Sequence, residues 1–263
     1  AEALNATQAD LSLKRIYLYD ARYLYGDGWS GGGVNTIEAS LGQKLTQRYS
    51  SVVLQGALTS SFLGSDYNFR RLAGGLGVYV SAIGYGETRL LVKAGRSDGE
   101  TPLQRRFYLS FADPYDTWDS PLYRSRGTLP DRWKNDGHLF KPGGAGLNGY
   151  VNLGASGTRM MSLKVTNDLP RMNLPVRIPY ISKQVGRISS EVYFAGGCVW
   201  DDTLDVGFDD FLWEAGLHLS YPIPYLDRFI EENRLSLYLP LWLSNPPDGN
   251  KSIEWRWLIS FTP

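Results

Sequence analysis

Alternation near the end of the chain limits the possible folds more than any other feature. From Ser252 to Thr262, Ile253, Trp255, Trp257, Ile259 and Phe261 take one phase. Glu254, Arg256, Ser260 and Thr262 take the other, with Leu258 among them. Successive side chains of a strand point to opposite faces, so this stretch predicts a ribbon with one apolar and one polar side. Two Trp and a Phe are costly in water, and an unpaired Glu or Arg is costly in a dry core. A membrane barrel meets both demands by turning the apolar face to lipid and the charged face to the lumen. A soluble sandwich would meet them the other way round, and this strand fits either.

The two preceding stretches favour the barrel. Leu235, Leu237, Leu239, Leu241 and Leu243 form an unbroken alternating row, interleaved with Arg234, Ser236, Tyr238, Pro240, Trp242 and Ser244. A row of about ten residues is what a tilted strand needs to cross a bilayer. Before it, Phe211, Trp213, Ala215, Leu217, Leu219 and Tyr221 alternate with Asp210, Glu214, Gly216, His218 and Ser220, with aromatics near both ends as in an interfacial girdle. The short segment Asn245-Pro-Pro-Asp-Gly-Asn reads as a turn. The expected fold is all-β: a closed antiparallel transmembrane β-barrel of about twelve strands. Residues 1–12 are expected as a polar tail or short plug-like segment, residues 13–263 as the barrel, and residues 112–146, rich in Asp, Pro, Arg and Gly, as one long loop.

Composition narrows the function. The 27 basic and 27 acidic residues cancel, which gives no support to nucleic-acid binding. The aromatic fraction is 13%, as expected of a girdled barrel, and a mean hydropathy of −0.27 is compatible with one because only alternate residues are apolar. No apolar run approaches the roughly 18 residues of a spanning helix. The single cysteine, Cys198, excludes an intrachain disulfide and reads as a small buried hydrophobe. Ala1 opens no signal-peptide pattern, which implies a removed leader or a longer parent chain.

Along the chain, strands are expected at 14–25, 34–45, 51–63, 69–83, 88–94, 104–111 and 187–200, with a hairpin from 147–155 and 158–166. Leu226–Glu232 is a candidate helical turn. The run Gly26-Asp-Gly-Trp-Ser-Gly-Gly-Gly lacks the Gly-Lys-Ser/Thr of a phosphate loop and reads as a turn. Asp201, Asp202, Asp205 and Asp209 lack calcium-loop spacing and read as a solvated loop tip, so neither a metal nor a cofactor is expected.

From Tyr193 onward the chain carries Phe194-Ala-Gly-Gly-Cys-Val-Trp, Trp213-Glu-Ala-Gly-Leu, Leu239-Pro-Leu-Trp-Leu-Ser-Asn-Pro-Pro-Asp-Gly and Trp255-Arg-Trp-Leu-Ile. With these features the stretch resembles the C-terminal outer-membrane barrel of Bacteroidota surface proteins that carry aminopeptidase-like or patatin-like domains. It is distantly similar to the surface-antigen family of outer-membrane insertases. Tyr123-Arg-Ser-Arg-Gly and Gly143-Gly-Ala-Gly-Leu-Asn-Gly-Tyr also fit, the latter at an insertase loop tip where Asn148 replaces an arginine. The resemblance implies an outer-membrane location. The zinc site of the peptidase domain is absent, since the chain has only His138 and His218.

One chemical constellation stands out. His218 and Ser220 project to one face, with Glu214 and Asp210 in phase, a spacing that could activate a serine. Parity turns that face to the lumen, where lipid substrates do not reach, so a hydrogen-bonded lumen network is expected and no catalytic residue. The expected lumen-facing set is Glu191, Glu214, His218, Arg234, Glu254 and Arg256. The expected lipid-facing set is Leu235, Leu237, Leu239, Leu241, Leu243, Ile253, Trp255, Trp257, Ile259 and Phe261. The expected function is a membrane anchor or assembly subunit in the bacterial outer membrane, in contact with lipid and with other outer-membrane or periplasmic subunits. The alternatives are a solute pore, a lipid hydrolase using His218 and Ser220, and a soluble β binding module.

Overall fold

A computed structural model describes residues 7–17, 32–46, 50–80, 86–119, 138–153, 155–170, 172–173, 187–201, 207–222, 234–247 and 251–262. The described part is β-rich. Its strands are β1 (Thr7–Tyr17), β2 (Gly33–Thr46), β3 (Ser50–Thr59), β4 (Phe69–Val80), β5 (Thr88–Gly99), β6 (Phe107–Tyr108), β7 (Ser156–Gly157), β8 (Arg159–Asp168), β9 (Met172–Asn173), β10 (Arg187–Trp200), β11 (Leu212–Pro222), β12 (Arg234–Leu243) and β13 (Leu258–Thr262). One short helix, α1 (Pro114–Asp119), joins them.

Ten strands form a single antiparallel path, β1-β2-β3-β4-β5-β8-β10-β11-β12-β13, with β9 paired to β10 beside it. Each strand lies next to its chain neighbour, the simplest order a folding chain can take. Connections therefore alternate between the two ends of the sheet. The long insertion between β5 and β8 leaves from the end that also carries the β3–β4 and β12–β13 connections. Inside it, β6 and β7 make a two-stranded sheet of their own.

The two faces are inverted relative to a water-soluble sheet. Ile37, Leu41, Leu54, Leu58, Leu72, Leu76, Met161, Val192, Phe194 and Leu235 lie on the outward face and are 36–61% exposed. Thr36, Thr59, Ser97, Ser162, Glu214, Ser220, Ser236 and Ser260 lie on the other face and are buried. Among the described residues, the only other sheet is the β6–β7 pair, so no second β-layer covers the apolar side. The polar side is covered by the insertion. Its residues build two small cores against the sheet. One joins Phe107, Leu109, Ala145, Leu147 and Tyr150 to Met160 and Leu243; the other joins Tyr108, Phe111 and Phe140 to Leu258.

Several expectations need correction. β1 starts at Thr7, inside the stretch read as a tail, and pairs with β2 along its whole length. Residues 104–111 are not a strand of the main sheet. A 3-10 turn at Leu103–Arg105 leads into the two-residue β6, and Phe107 through Phe111 are all buried, odd and even positions alike. Residues 148–153 form 3-10 turns rather than a hairpin arm, whereas β8 follows as expected. The terminal strand is short: only Leu258–Thr262 pairs with β12, and Ile253 makes an isolated bridge to Trp242. Against the expected twelve or so strands, the described residues place ten on the path and β9 beside it. The Gly26–Gly33 turn up to residue 31 and the Leu226–Glu232 turn fall outside the described residues, as do Asp202 and Asp205 of the acidic loop.

The leucine row of β12 is also broken. Glu214 pairs with Leu243 and Ala215 with Trp242, but Gly216 pairs with Pro240, so Leu241 is an extra residue at a bulge. A single added residue sends every later side chain to the opposite face. Leu235 and Leu237 keep the outward phase of Phe261 and Ile259, their partners. Leu243, expected outward, is fully buried in the inner core. Trp242 turns outward and stacks near Phe194, which stacks in turn on Trp213. Pro240 lacks an N–H and is tolerated at such a bulge. Gly216 sits opposite because a side chain there would collide with the Leu239 carbonyl.

Candidate functional site

The site with the most buried chemistry is the seat of the insertion on the polar face. Asp113 begins it. Its carboxylate accepts the Asp116 N–H at 2.8 Å and its carbonyl accepts the Thr117 N–H at 3.0 Å, so it caps α1, with Pro114 at the first helical position where no N–H is needed. The same carboxylate is fully buried and receives two guanidiniums: Arg71 of β4 at 3.1 Å and Arg105 of the insertion at 3.4 Å. Arg105, 2% exposed, also reaches Glu38 of β2 at 2.8 Å and Asp116 at 3.4 Å, and lies over the Tyr115 ring at 4.3 Å. Burial by itself would lower the Arg105 guanidinium; Asp113, Asp116 and Glu38 outweigh it and hold the group above its ordinary value. Arg71 covers the Phe107 ring at 4.3 Å. Breaking one partner out of such a buried network costs about 3–5 kcal/mol, because the charge left behind has no water.

The far end of the insertion is fastened to other strands. Glu214 of β11 is fully buried and accepts the Asn148 N–H at 3.0 Å and the Gly149 N–H at 2.6 Å. The Tyr150 hydroxyl donates to the Trp213 carbonyl at 3.0 Å and lies 3.2 Å from Ser244 Oγ. Gly149 allows this approach, since a Cβ there would overlap Leu243 Cδ2 and crowd Glu214 and Pro240. Between the two ends, Lys93 of β5 donates to the Gly144 carbonyl at 3.3 Å and Lys141 to the Asp116 carbonyl at 2.6 Å. Near residue 140 the insertion reaches the last strand: Ile259 donates to the His138 carbonyl, Phe140 donates to the Ile259 carbonyl, and the His138 ring stacks on Trp257 at 3.8 Å. One insertion thus touches β2, β4, β5 and β11 on their polar face and pairs with the edge of β13 at Ile259.

The sequence-derived residues divide accordingly. His218 and Ser220 share the buried face, but the Glu214 carboxylate is occupied by the insertion. It is Glu191 of β10 that faces His218, as a long 3.5 Å contact to Nδ1, while Arg89 bonds both Glu191 and Asp168. The His218 ring lies flat on Tyr238 at 4.2 Å, and its Nε2 is buried with no hydrogen-bond partner. No His218–Ser220 hydrogen bond forms, so the Glu-His-Ser relay read from the spacing is not assembled.

Arg234 and Glu254, expected in the lumen, are exposed, and Glu254 pairs with Arg256 at 2.8 Å outside the ladder. Ile253 and Trp255 are 76% and 71% exposed, whereas Leu239 is only 6% exposed. Asp201 accepts from Arg106 and from the Thr158 N–H. Among the described residues no group of His, Cys, Asp and Glu could hold a metal ion, and no helix is long and apolar enough to cross a membrane. Sequence reasoning missed Glu38, Arg71, Arg105, Asp113 and Lys93. A signal was present: Arg71 and Lys93 are charges in the phase opposite the apolar rows of β4 and β5.

No protein-family model matches the chain, and no curated protein matches it.

Proposed function

We propose that the ten-strand path closes into an outer-membrane barrel around the insertion, and that the protein serves as a membrane anchor or assembly subunit of a surface or outer-membrane complex. The observation that carries this reading is the inversion of the sheet. Most of its uncovered face is leucine, isoleucine, valine and phenylalanine, and its covered face carries Thr36, Thr59, Ser97, Ser162, Glu214, Ser220, Ser236 and Ser260. In water, each Å² of such apolar surface left exposed costs about 25 cal/mol; in hydrocarbon that cost vanishes. Closure would also pair the outer edge of β1, whose backbone groups no lipid could satisfy. A lumen filled by a fastened insertion supports anchoring over transport.

The purified protein should float with liposomes after an alkaline wash, and unheated samples should migrate faster than boiled ones in detergent electrophoresis. A chain that stays monodisperse without detergent and sediments apart from liposomes would overturn this reading.

A pore is the second reading. It is favoured by cavities of about 330 and about 380 Å³ between the insertion and the small-residue wall of β3 and β4, lined by Gln55, Ala57, Ala73, Gly75 and Gly77.

A further inference from the structure

The outward face carries a cluster of charge at the rim from which the insertion leaves. Arg70 and Arg71 are adjacent on β4 and take opposite phases. Arg71 turns inward to Asp113, whereas the Arg70 side chain is outward and 75% exposed. On the next strand Asp98 pairs with Arg70, and Arg96 pairs with Leu72 two rungs in; the final rung is Phe69 with Gly99. Arg159 of β8 lies opposite Arg96. Asp98 accepts the Arg96 Nε–H through both oxygens, at 2.8 and 2.9 Å, and lies 3.5 Å from Arg70 Nε and 3.4 Å from Arg159 Nη2. Three guanidiniums around one carboxylate leave an excess of two positive charges. The Arg96 side chain is 61% exposed.

The cluster does not stand alone on the surface. A shallow outward groove of about 620 Å³ joins it, lined by Ile37, Ala39, Gly56, Leu58 and Leu72 together with Arg70, Arg96 and Asp98. Gly56 keeps its floor open, since an added Cβ would meet nothing within 4 Å. An apolar channel ending in paired guanidiniums is complementary to an acyl chain that ends in a phosphate.

We propose that this groove binds one membrane lipid with a phosphate headgroup, the acyl chain lying along Ile37, Leu58 and Leu72 and the phosphate held by Arg70 and Arg96. This rests on the membrane reading above, which makes the outward face a lipid contact. Guanidinium matches phosphate as a planar, multi-donor partner, and its charge acts more strongly where headgroup meets hydrocarbon than in bulk water. Asp98 orients the arginines and prevents mutual repulsion while the site is empty. The apolar groove distinguishes a lipid from a free anion, which would use the arginines alone.

The test is native mass spectrometry of the full chain after transfer from phosphatidylcholine nanodiscs doped with phosphatidic acid. The wild-type protein should retain one phosphatidic acid. Arg70→Gln with Arg96→Gln should lower that retention at least tenfold or so, the loss expected for two charge-assisted contacts. Gly56→Leu, which fills the groove and leaves the charges, should lower it as well. All three proteins should keep the same heat-modifiable mobility. Equal retention by wild type and the double arginine variant would overturn the site. Competition by glycerol 3-phosphate as effective as by the acylated lipid would overturn the lipid assignment in favour of a free phosphate. Failure of the wild type to float with liposomes would instead overturn the membrane reading, and the lipid site with it, so the two failures are separately visible.

Discussion

At the scale of single residues, function here reduces to how buried charges are satisfied. Glu214 shows the logic. Its two oxygens take two backbone N–H groups at the tip of the insertion, Asn148 and Gly149, in a place without exposure. Glu214→Ala would strand both donors, and each unsatisfied buried donor costs about 1–3 kcal/mol. We expect a drop of roughly 2–5 kcal/mol in urea unfolding followed by tryptophan fluorescence in detergent, with Glu214→Gln losing less because one acceptor remains. An unchanged midpoint for the alanine variant would show that Glu214 does not fasten the insertion. Parity in the sequence was enough to turn Glu214, His218 and Ser220 to one face. It could not say which carboxylate meets His218. That choice came from Glu191 on the neighbouring strand, whose register partner is His218. Glu38 and Arg105 were likewise illegible as a pair, being 67 residues apart with no local pattern joining them.

At the scale of elements, the bulge in β12 is the instructive case. A row of five alternating leucines reads as one face, yet the added residue beside Pro240 splits it, and Leu243 ends in the inner core. The warning was Pro240 itself, since a proline within a strand is confined to edges and bulges. Along the half that keeps the outward phase, the response to charge should follow depth. Leu237→Arg, on the outward face, should destabilise the protein by about 2–4 kcal/mol in bilayers if it sits near the midplane. Leu235→Arg, nearer the strand end, should cost no more than about 1 kcal/mol, as expected near an interface. Folding titrations in liposomes measure both, and equal costs would argue against a depth-dependent lipid contact. Residues 104–111 teach the converse. Their alternation imitates a strand, but from Phe107 to Phe111 every residue is enclosed, so both phases are buried and the period carries no facing information.

At the scale of the whole molecule, the sheet and its insertion define each other. The buried clusters of the insertion are small, and its aromatic residues complete their packing on Met160, Leu243 and Leu258 of the sheet. The sheet, for its part, buries much of its polar face against the insertion. Replacing residues 103–155 with a short Gly/Ser turn should open the lumen, so single channels in planar bilayers should show steady conductance that the intact protein lacks. Steady conductance by the intact protein would favour the pore reading instead. Sequence alone determined where most strands run and which of their faces is apolar, because side-chain direction in a strand follows a local period of two. It determined the absence of a net charge and of a spanning helix in the same local way. Only the tertiary structure decided the phase of Leu243, the enclosure of residues 104–111 and the pairing of Arg105 with Glu38 and of Glu214 with Gly149. Those outcomes depend on registers and contacts between residues far apart in the chain, and a local period carries no information about partners at such distances.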